Sequence, residues 1–172
     1  MKTKPFIVFT IVFIGLFLVA FVMNQAGKKL IIYNPSESVP RGFYYYAGMS
    51  FKKGDLVLFP VPAIVTEYVA KNYGEKTLQY FVKPVLAMNE EHICFKEENF
   101  ELEGEFLADI RLNDSQGKPL PLWKECRNLA GNEVFVFADR IENSFDSRYY
   151  GPIKKEQIIG VYKPLWVTEK EY

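Results

Sequence analysis

Three residues of this chain, Ser36, Ser38 and Lys83, are of the types that together perform acyl transfer. The serines lie in the segment NPSESVPRG, which Pro35 and Pro40 stiffen, and the lysine lies in the apolar segment LQYFVKPVLAM. A serine hydroxyl becomes a nucleophile when a base removes its proton, and a lysine is such a base if burial keeps it neutral. Two simpler interpretations remain open: a polar turn for the serines and an edge-strand lysine whose ammonium reaches solvent.

The single histidine argues against other catalytic sites. His92 follows two glutamates at the start of a predicted strand, where a solvated side chain is the simplest interpretation. His92 has no cluster of further His, Cys or carboxylate residues at the spacing of metal ligands, so we expect neither a metal nor another cofactor. A Ser-His-Asp triad would have to use His92, so serine chemistry is expected to use another base.

The overall charge gives no indication of a nucleic-acid partner. Lys plus Arg and Asp plus Glu both number 21, so the formal net charge is zero. Aromatic residues make up 16% of the chain, and such residues favour membrane interfaces and peptide-binding grooves. We therefore expect a lipid bilayer and a polypeptide, and no nucleic acid, as partners.

The first long segment predicts a membrane anchor. Residues 6–23 are 18 consecutive residues without a charge, and as a helix they would span roughly 27 Å, close to the hydrocarbon thickness of a bilayer. A cleaved signal peptide is the alternative, but its apolar region is usually shorter and ends in a small-x-small site, for which Ala26 is a poor candidate. The predicted division is an anchor at 1–28 and an extracytoplasmic domain at 29–172.

The orientation of this anchor rests on little charge asymmetry. Two lysines precede the helix and two follow it (Lys2, Lys4, Lys28, Lys29), so the positive-inside count is nearly tied. An even pair of cysteines, Cys94 and Cys126, favours a cytoplasmic N-terminus, because such a pair usually forms a disulfide outside the cytoplasm. Two unrelated buried thiols are the alternative.

The rest of the chain predicts a mainly antiparallel β domain. Short segments rich in β-branched and aromatic residues, such as DLVLFPV and EVFVFAD, are separated by Gly, Asn, Asp and Pro. The one good helix candidate runs from Ala63 to a stop at Gly74. NDSQGKPLPLWKE is expected to be an excursion between strands and ADRIENSFDSRYYGP a long structured loop.

Four segments, in this order, resemble the conserved boxes of type I signal peptidases. PSESVPRG resembles the nucleophile box, GDLVLF the strand that follows it, YFVKPVLAM the general-base box, and FVFADRIENSFDSRYYGPI the C-terminal box. The form SVPRGFY is most similar to the conjugative-transfer signal peptidases of the TraF type, some of which also have a similar cysteine pair. One departure is Pro84, where the family usually has arginine.

The resemblance implies a role for each matching residue. Ser38 would be the nucleophile and Lys83 the general base, with the Ser36 hydroxyl and the Ser38 amide as oxyanion donors. Ser144 would position the lysine. Asp146 and Arg148 match a pair that braces the site, and if their segment is extended they share a face. These two are interpreted as structural support.

The expected fold is mainly β: an N-terminal transmembrane helix followed by an antiparallel-sheet signal-peptidase-like catalytic domain with one small helix. The expected function is removal of leader peptides from exported conjugation preproteins, such as a pilin-like preprotein, by a single-pass protein of the inner membrane with a periplasmic catalytic domain. Val39, Phe43 and Tyr44 are expected to line shallow substrate pockets and to reach the lipid interface. A general signal peptidase I and a non-catalytic membrane-anchored assembly module are the alternatives.

Overall fold

The computed structural model describes residues 4–25, 29–73, 79–96, 99–114 and 116–168. Helix α1 (Lys4–Gln25) contains the predicted apolar segment, and its described large side chains are all exposed. Within the described residues, no helix combines the length and hydropathy that crossing a membrane requires. The predicted division at residue 28 stays a prediction; Lys2, Lys28 and the expected helix stop at Gly74 lie outside the described residues.

The described part of the remaining chain is mainly antiparallel β structure, which confirms the predicted class. Its strands are β1 (Ile31–Asn34), β2 (Gly42–Gly48), β3 (Leu56–Pro60), β4 (Tyr80–Met88), β5 (His92–Lys96), β6 (Asn99–Leu102), β7 (Glu105–Asp109), β8 (Cys126–Asn128), β9 (Glu133–Val136), β10 (Ile153–Lys154) and β11 (Gly160–Val167).

The larger sheet has seven strands in the order β1-β2-β11-β3-β4-β9-β10. Strand β11 therefore lies between β2 and β3, which are neighbours in sequence. Strand β4 pairs with β3 through Tyr80–Pro84 and with β9 through Val85–Met88, with a register shift between Val85 and Ala87. The irregularity comes directly after Pro84, which has no amide hydrogen to donate to a ladder.

A smaller sheet of four strands, in the order β7-β6-β5-β8, carries the disulfide. Cys94 of β5 and Cys126 of β8 are directly paired residues, and their sulfur atoms are bonded. The predicted bridge is therefore present, and the alternative of two separate thiols is wrong. His92 lies at the start of β5, as predicted, and its ring is half-buried beside Cys126.

In the described chain, two short α-helices and a separate 3₁₀ turn (Lys155–Gln157) accompany the sheets, where the sequence predicted one helix. The predicted helix is present as a 3₁₀ turn (Ala63–Val65) continued by α2 (Thr66–Tyr73). The second, α3 (Ser147–Tyr150), lies in the segment predicted to be a loop. Gly151 closes α3 with a φ of 79°, and a Cβ there would lie 2.7 Å from the Trp123 ring. Both constraints favour glycine.

The apolar interior of the described chain forms two clusters. The larger one joins both sheets through aromatic residues; in it Phe81 stacks on Tyr150, and Phe145 meets the Phe81 ring edge-on. The smaller one packs β2 and β11 against β3 and β4, and its buried members are Val39, Tyr44, Leu58, Val82 and Tyr162. Since Val82 precedes Lys83 and Val39 follows Ser38, this small cluster holds the two candidate segments at a fixed separation.

Candidate active site

The loop between β1 and β2 is organised by one buried carboxamide, that of Asn34. Its Oδ1 accepts the Ser36 amide hydrogen at 3.2 Å, which is an Asx turn. Its Nδ2 donates to the carbonyl oxygens of Ser36, Val39 and Pro40 at 2.8, 3.2 and 3.2 Å. Four backbone groups of the loop that carries both serines therefore depend on this one side chain.

The two serine hydroxyls of this loop are hydrogen-bonded to each other. Ser36 Oγ lies 2.9 Å from Ser38 Oγ, and the Ser38 amide donates to Ser36 Oγ at 3.3 Å. Ser38 is 3% exposed, whereas Ser36 is exposed. The hydroxyl of Ser36 and the amide of Ser38 thus lie close enough together to donate to one oxyanion.

Lys83 is buried within β4, opposite Val57 of β3, and is only 4% exposed. Burial lowers the pKa of its ammonium from 10.5 to about 8; the Asp146 carboxylate opposes this shift and the Arg148 guanidinium adds to it. The alternative of an edge lysine reaching solvent is therefore wrong. A lysine with this pKa is neutral often enough near neutral pH to act as a base.

Ser144 contacts the lysine directly. Lys83 Nζ donates to Ser144 Oγ at 2.9 Å, and Ser144 is 1% exposed. Among the described residues, Ser38 and Lys83 are each hydrogen-bonded to a neighbouring serine and not to each other.

A buried ion pair fixes the segment that carries Ser144. The Asp146 carboxylate accepts from Arg148 Nε and Nη2 at 2.9 and 3.0 Å, and Arg148 Nη2 also donates to the Ser144 carbonyl oxygen at 3.0 Å. Asp146 also accepts the Arg148 amide hydrogen and so caps the start of α3. The prediction of an extended segment is wrong here, because this cap begins a helical turn.

One cavity of about 380 Å³ joins these elements. Its lining includes Ser36, Ser38, Lys83 and Ser144, so the structure brings together the four residues that the sequence singled out for chemistry. The exposed Glu37–Arg41 ion pair, at 2.8 Å, also lines this cavity. The arrangement places two hydroxyls and a lysine of lowered pKa beside one space that could admit a peptide bond.

A second cavity, of about 510 Å³, adjoins the first, and the two share Asn34, Pro35, Tyr80 and Val82. We call it the strand groove; its lining is Lys29, Ile31, Ile32, Tyr33, Asn34, Pro35, Leu58, Gln79, Tyr80 and Val82. In the described chain, β1 pairs with β2 alone. The first half of β4, Tyr80–Pro84, pairs with β3 alone, and the pairing of β4 with β9 begins at Val85. The strand groove is therefore bordered by two strand edges with free backbone groups.

All three residues predicted to contact substrate lie outside the two cavities. Val39 and Tyr44 are 4% and 0% exposed and line neither cavity, because they belong to the small apolar cluster. Their burial leaves no contact with a lipid interface, which corrects that prediction. Phe43 is 41% exposed, also lines neither cavity, and contacts the Tyr33 and Trp166 rings.

Metal ligation finds no support in the described residues. No group of three or more His, Cys, Asp or Glu side chains there is arranged to hold a metal ion.

Asn34 was not singled out from the sequence, although Asn-Pro is a common start of a turn. We expect Asn34→Ala to lower kcat by roughly 10- to 100-fold, since small displacements of a nucleophile have large kinetic effects. Asn34→Asp keeps the acceptor for the Ser36 amide and loses the three donated bonds, so its kcat should be intermediate. Steady-state kinetics with melting curves as a control would check this; equal kcat values for all three proteins would contradict it.

The buried ion pair should matter for stability. We expect Arg148→Met to lower the free energy of unfolding by about 3–5 kcal/mol, because Asp146 would keep a buried charge without its partner. Arg41→Met is the matched control, since its exposed pair with Glu37 is worth less than about 1 kcal/mol. Urea unfolding of both variants measures the difference, and equal losses would contradict the prediction.

The chain is similar to several known proteins. The sequence model of the family described as signal peptidase, peptidase S26, matches residues 3–166. The chain is 31% identical over 143 residues to a plasmid transfer protein TraF of Escherichia coli, covering 77% of this chain and 80% of that protein. It is 29% identical over 107 residues to thylakoidal processing peptidase 1 of Arabidopsis thaliana, covering 62% of this chain and 29% of that protein. A crystal structure of a signal peptidase I from Enterococcus faecalis has 19% identity and a TM-score of 0.39, covering 65% of this chain and 96% of that chain.

Proposed function

Because the chain belongs to the signal peptidase family, peptidase S26, and is of the TraF type, we propose that it is a serine endopeptidase with a Ser38/Lys83 dyad. The observation that carries this proposal is Lys83, a buried lysine with a lowered pKa that lines the same cavity as Ser38. Burying an amine is costly, and an inert assembly module gains nothing from it.

The proposed mechanism follows from the groups that line the cavity. Neutral Lys83 Nζ takes the proton of Ser38 Oγ, and this oxygen attacks the carbonyl carbon of the scissile bond. The Ser36 hydroxyl and the Ser38 amide donate to the developing oxyanion. Lys83 then gives the proton to the leaving amine, and a water activated by Lys83 releases the acyl group from Ser38.

In this mechanism Ser144 and the ion pair act on Lys83. Ser144 Oγ holds Lys83 Nζ at 2.9 Å, and Arg148 fixes the Ser144 carbonyl. We propose that Ser144 positions the lysine, and that Asp146 and Arg148 hold Ser144 in turn.

The substrate is proposed to bind as an extended segment along the strand groove. The free edges of β1 and of the first half of β4 border this groove, and an extended peptide can add to such edges through main-chain hydrogen bonds. The natural substrate is proposed to be an exported preprotein of a conjugation system, such as a pilin-like preprotein. The similarity to plasmid transfer proteins supports this choice over bulk secretion.

Membrane anchorage through α1 is part of the same proposal. The helix has 22 residues and presents exposed apolar side chains along its length, such as Phe6, Phe13 and Phe21. Such a surface is stable in lipid and unfavourable in water. The proposed location is the inner membrane, in a single pass, with the β domain on the periplasmic side.

Cleavage of defined preproteins tests the function. The full chain, purified in detergent, would be mixed with a pilin-like preprotein from a conjugation system and with an unrelated secretory preprotein. Mass spectrometry of the products should show one new N-terminus, formed faster from the pilin-like preprotein. Faster cleavage of the secretory preprotein would favour a general signal peptidase, and cleavage of neither by protein that binds both would favour the non-catalytic alternative.

A further inference from the structure

The strand groove has a positive charge at the end that lies away from Ser38. Asn34 and Pro35 line both cavities, whereas Lys29 lines only the strand groove, five residues before Asn34. Along β1, five residues of extended chain cover roughly 17 Å. On the β4 side, the Lys29 ammonium lies against Tyr80, three residues before Lys83, which is roughly 10 Å of extended strand. A substrate in the groove would therefore meet this charge about three to five residues away from the bond to be cut.

The position of Lys29 is fixed by contacts on both sides of the groove. Its carbonyl oxygen accepts a hydrogen bond from the Tyr162 hydroxyl at 2.6 Å, which ties its backbone to β11. Its Nζ lies 4.1 Å from the centroid of the Tyr80 ring, at the start of β4. The ammonium thus reaches from the β1 side of the groove to the β4 side.

No carboxylate in the described part of the chain balances this charge. The described lining of the groove contains no Asp or Glu, and the other polar side chains in it are those of Tyr, Asn and Gln. Lys29 forms no ion pair with the described carboxylates, and its partner is the face of an aromatic ring. A carboxylate entering the groove would gain a charge-assisted hydrogen bond without displacing an existing one.

We propose that Lys29 and Tyr80 form an acid-binding subsite, which selects substrates with an Asp or Glu side chain about three to five residues from the scissile bond. The proposal rests on the proposed function, because it assigns the strand groove to the extended substrate. Tyr80 contributes by holding the ammonium across the groove and by offering its ring edge to the incoming side chain.

A peptide series tests the subsite. A neutral peptide around a cleavage site would carry Asp, Asn or Lys, one position at a time, from the third to the eighth residue on each side of the scissile bond. The wild type should cleave the Asp peptide about fivefold better than the Asn peptide at one position. Lys29→Gln should remove this preference, and Lys29→Glu should reverse it in favour of the Lys peptide.

Matched controls separate the subsite from other effects. Lys163→Glu changes an exposed lysine of β11 that lines neither cavity, and it should keep the wild-type preference. All assays use a neutral detergent and are repeated with vesicles containing phosphatidylglycerol. Lys29→Gln could alter cleavage only in the presence of these vesicles, and equally for all peptides. In that case the anion that Lys29 binds is a lipid phosphate, and the proposed subsite is wrong.

Binding measurements keep the subsite testable apart from catalysis. The same peptides would be titrated into Ser38→Ala protein, with and without Lys29→Gln. Tighter binding of the Asp peptide that depends on Lys29 supports the subsite, whether or not the wild type cleaves any peptide. Failure of the wild type to cleave any peptide would count against the proposed function alone. Cleavage or binding without any Lys29-dependent preference overturns the subsite and leaves the proposed function intact.

Discussion

Ser38→Ala is expected to lower kcat for preprotein cleavage by about 10⁴-fold or more, because the proposed mechanism forms the acyl intermediate on the Ser38 hydroxyl. The fold should be retained, since the Ser38 hydroxyl is hydrogen-bonded only to the Ser36 hydroxyl among the described residues. The measurement is the rate of product formation from a synthetic preprotein segment, followed by mass spectrometry together with a melting curve.

Ser36→Ala is the matched control for this variant. It removes the other member of the same hydrogen bond and one proposed oxyanion donor, which is worth roughly 10²- to 10³-fold in kcat. We therefore expect Ser36→Ala to be clearly more active than Ser38→Ala. Residual activity of Ser38→Ala within tenfold of the wild type would exclude Ser38 as the nucleophile.

Lys83→Met is expected to lower kcat by about 10³-fold or more, since it removes the base and keeps much of the apolar volume. In the wild type, kcat/KM should rise with pH and level off above about 8, where Lys83 becomes neutral. Lys163→Met, which changes an exposed lysine, is the control and should keep both the rate and the profile. A wild-type profile that is flat between pH 6 and 9 would contradict the assignment of Lys83.

The same lysine should make stability depend on pH. The pKa of Lys83 is about 8 in the folded chain, whereas its ordinary value is 10.5. Between these two pH values the unfolded chain therefore binds more protons than the folded chain does. The free energy of unfolding should therefore increase as pH rises from about 8 to 10.5, by roughly 3 kcal/mol from this group. Lys83→Met should lose this contribution, and urea unfolding at several pH values from 7 to 10.5 measures the difference between the two proteins.

The sequence predicted the part of the site that depends on local pattern. Ser38 lies between two prolines, Lys83 lies in a segment with no other charge, and the apolar, aromatic and β-branched residues of that segment indicated a strand. These features follow from residue type and near neighbours, so they are visible without coordinates. The disulfide was predictable for a similar reason, because the chain has only two cysteines.

Other features depend on contacts between distant segments. Asn34 organises the serine loop only because the loop turns three carbonyl groups toward its amide. Tyr44 was predicted to be at the surface, yet its hydroxyl donates to the Pro40 carbonyl oxygen inside the small cluster. Helix α3 escaped prediction because its cap, Asp146, is fixed mainly by a buried guanidinium, and pairing of this kind has no signature in local hydrophobicity.

The position of β11 has a consequence for when the site can exist during synthesis. This strand, near the end of the described chain, joins β2 to β3 within the large sheet, and so connects the Ser38 side of the sheet to the Lys83 side. Contacts between segments so far apart in sequence form late, because a long loop must close first. A nascent chain that lacks residues 160–167 would hold Ser38 and Lys83 on separate pieces of sheet. The order of strands therefore implies that the proposed dyad is assembled only after β11 has been synthesised.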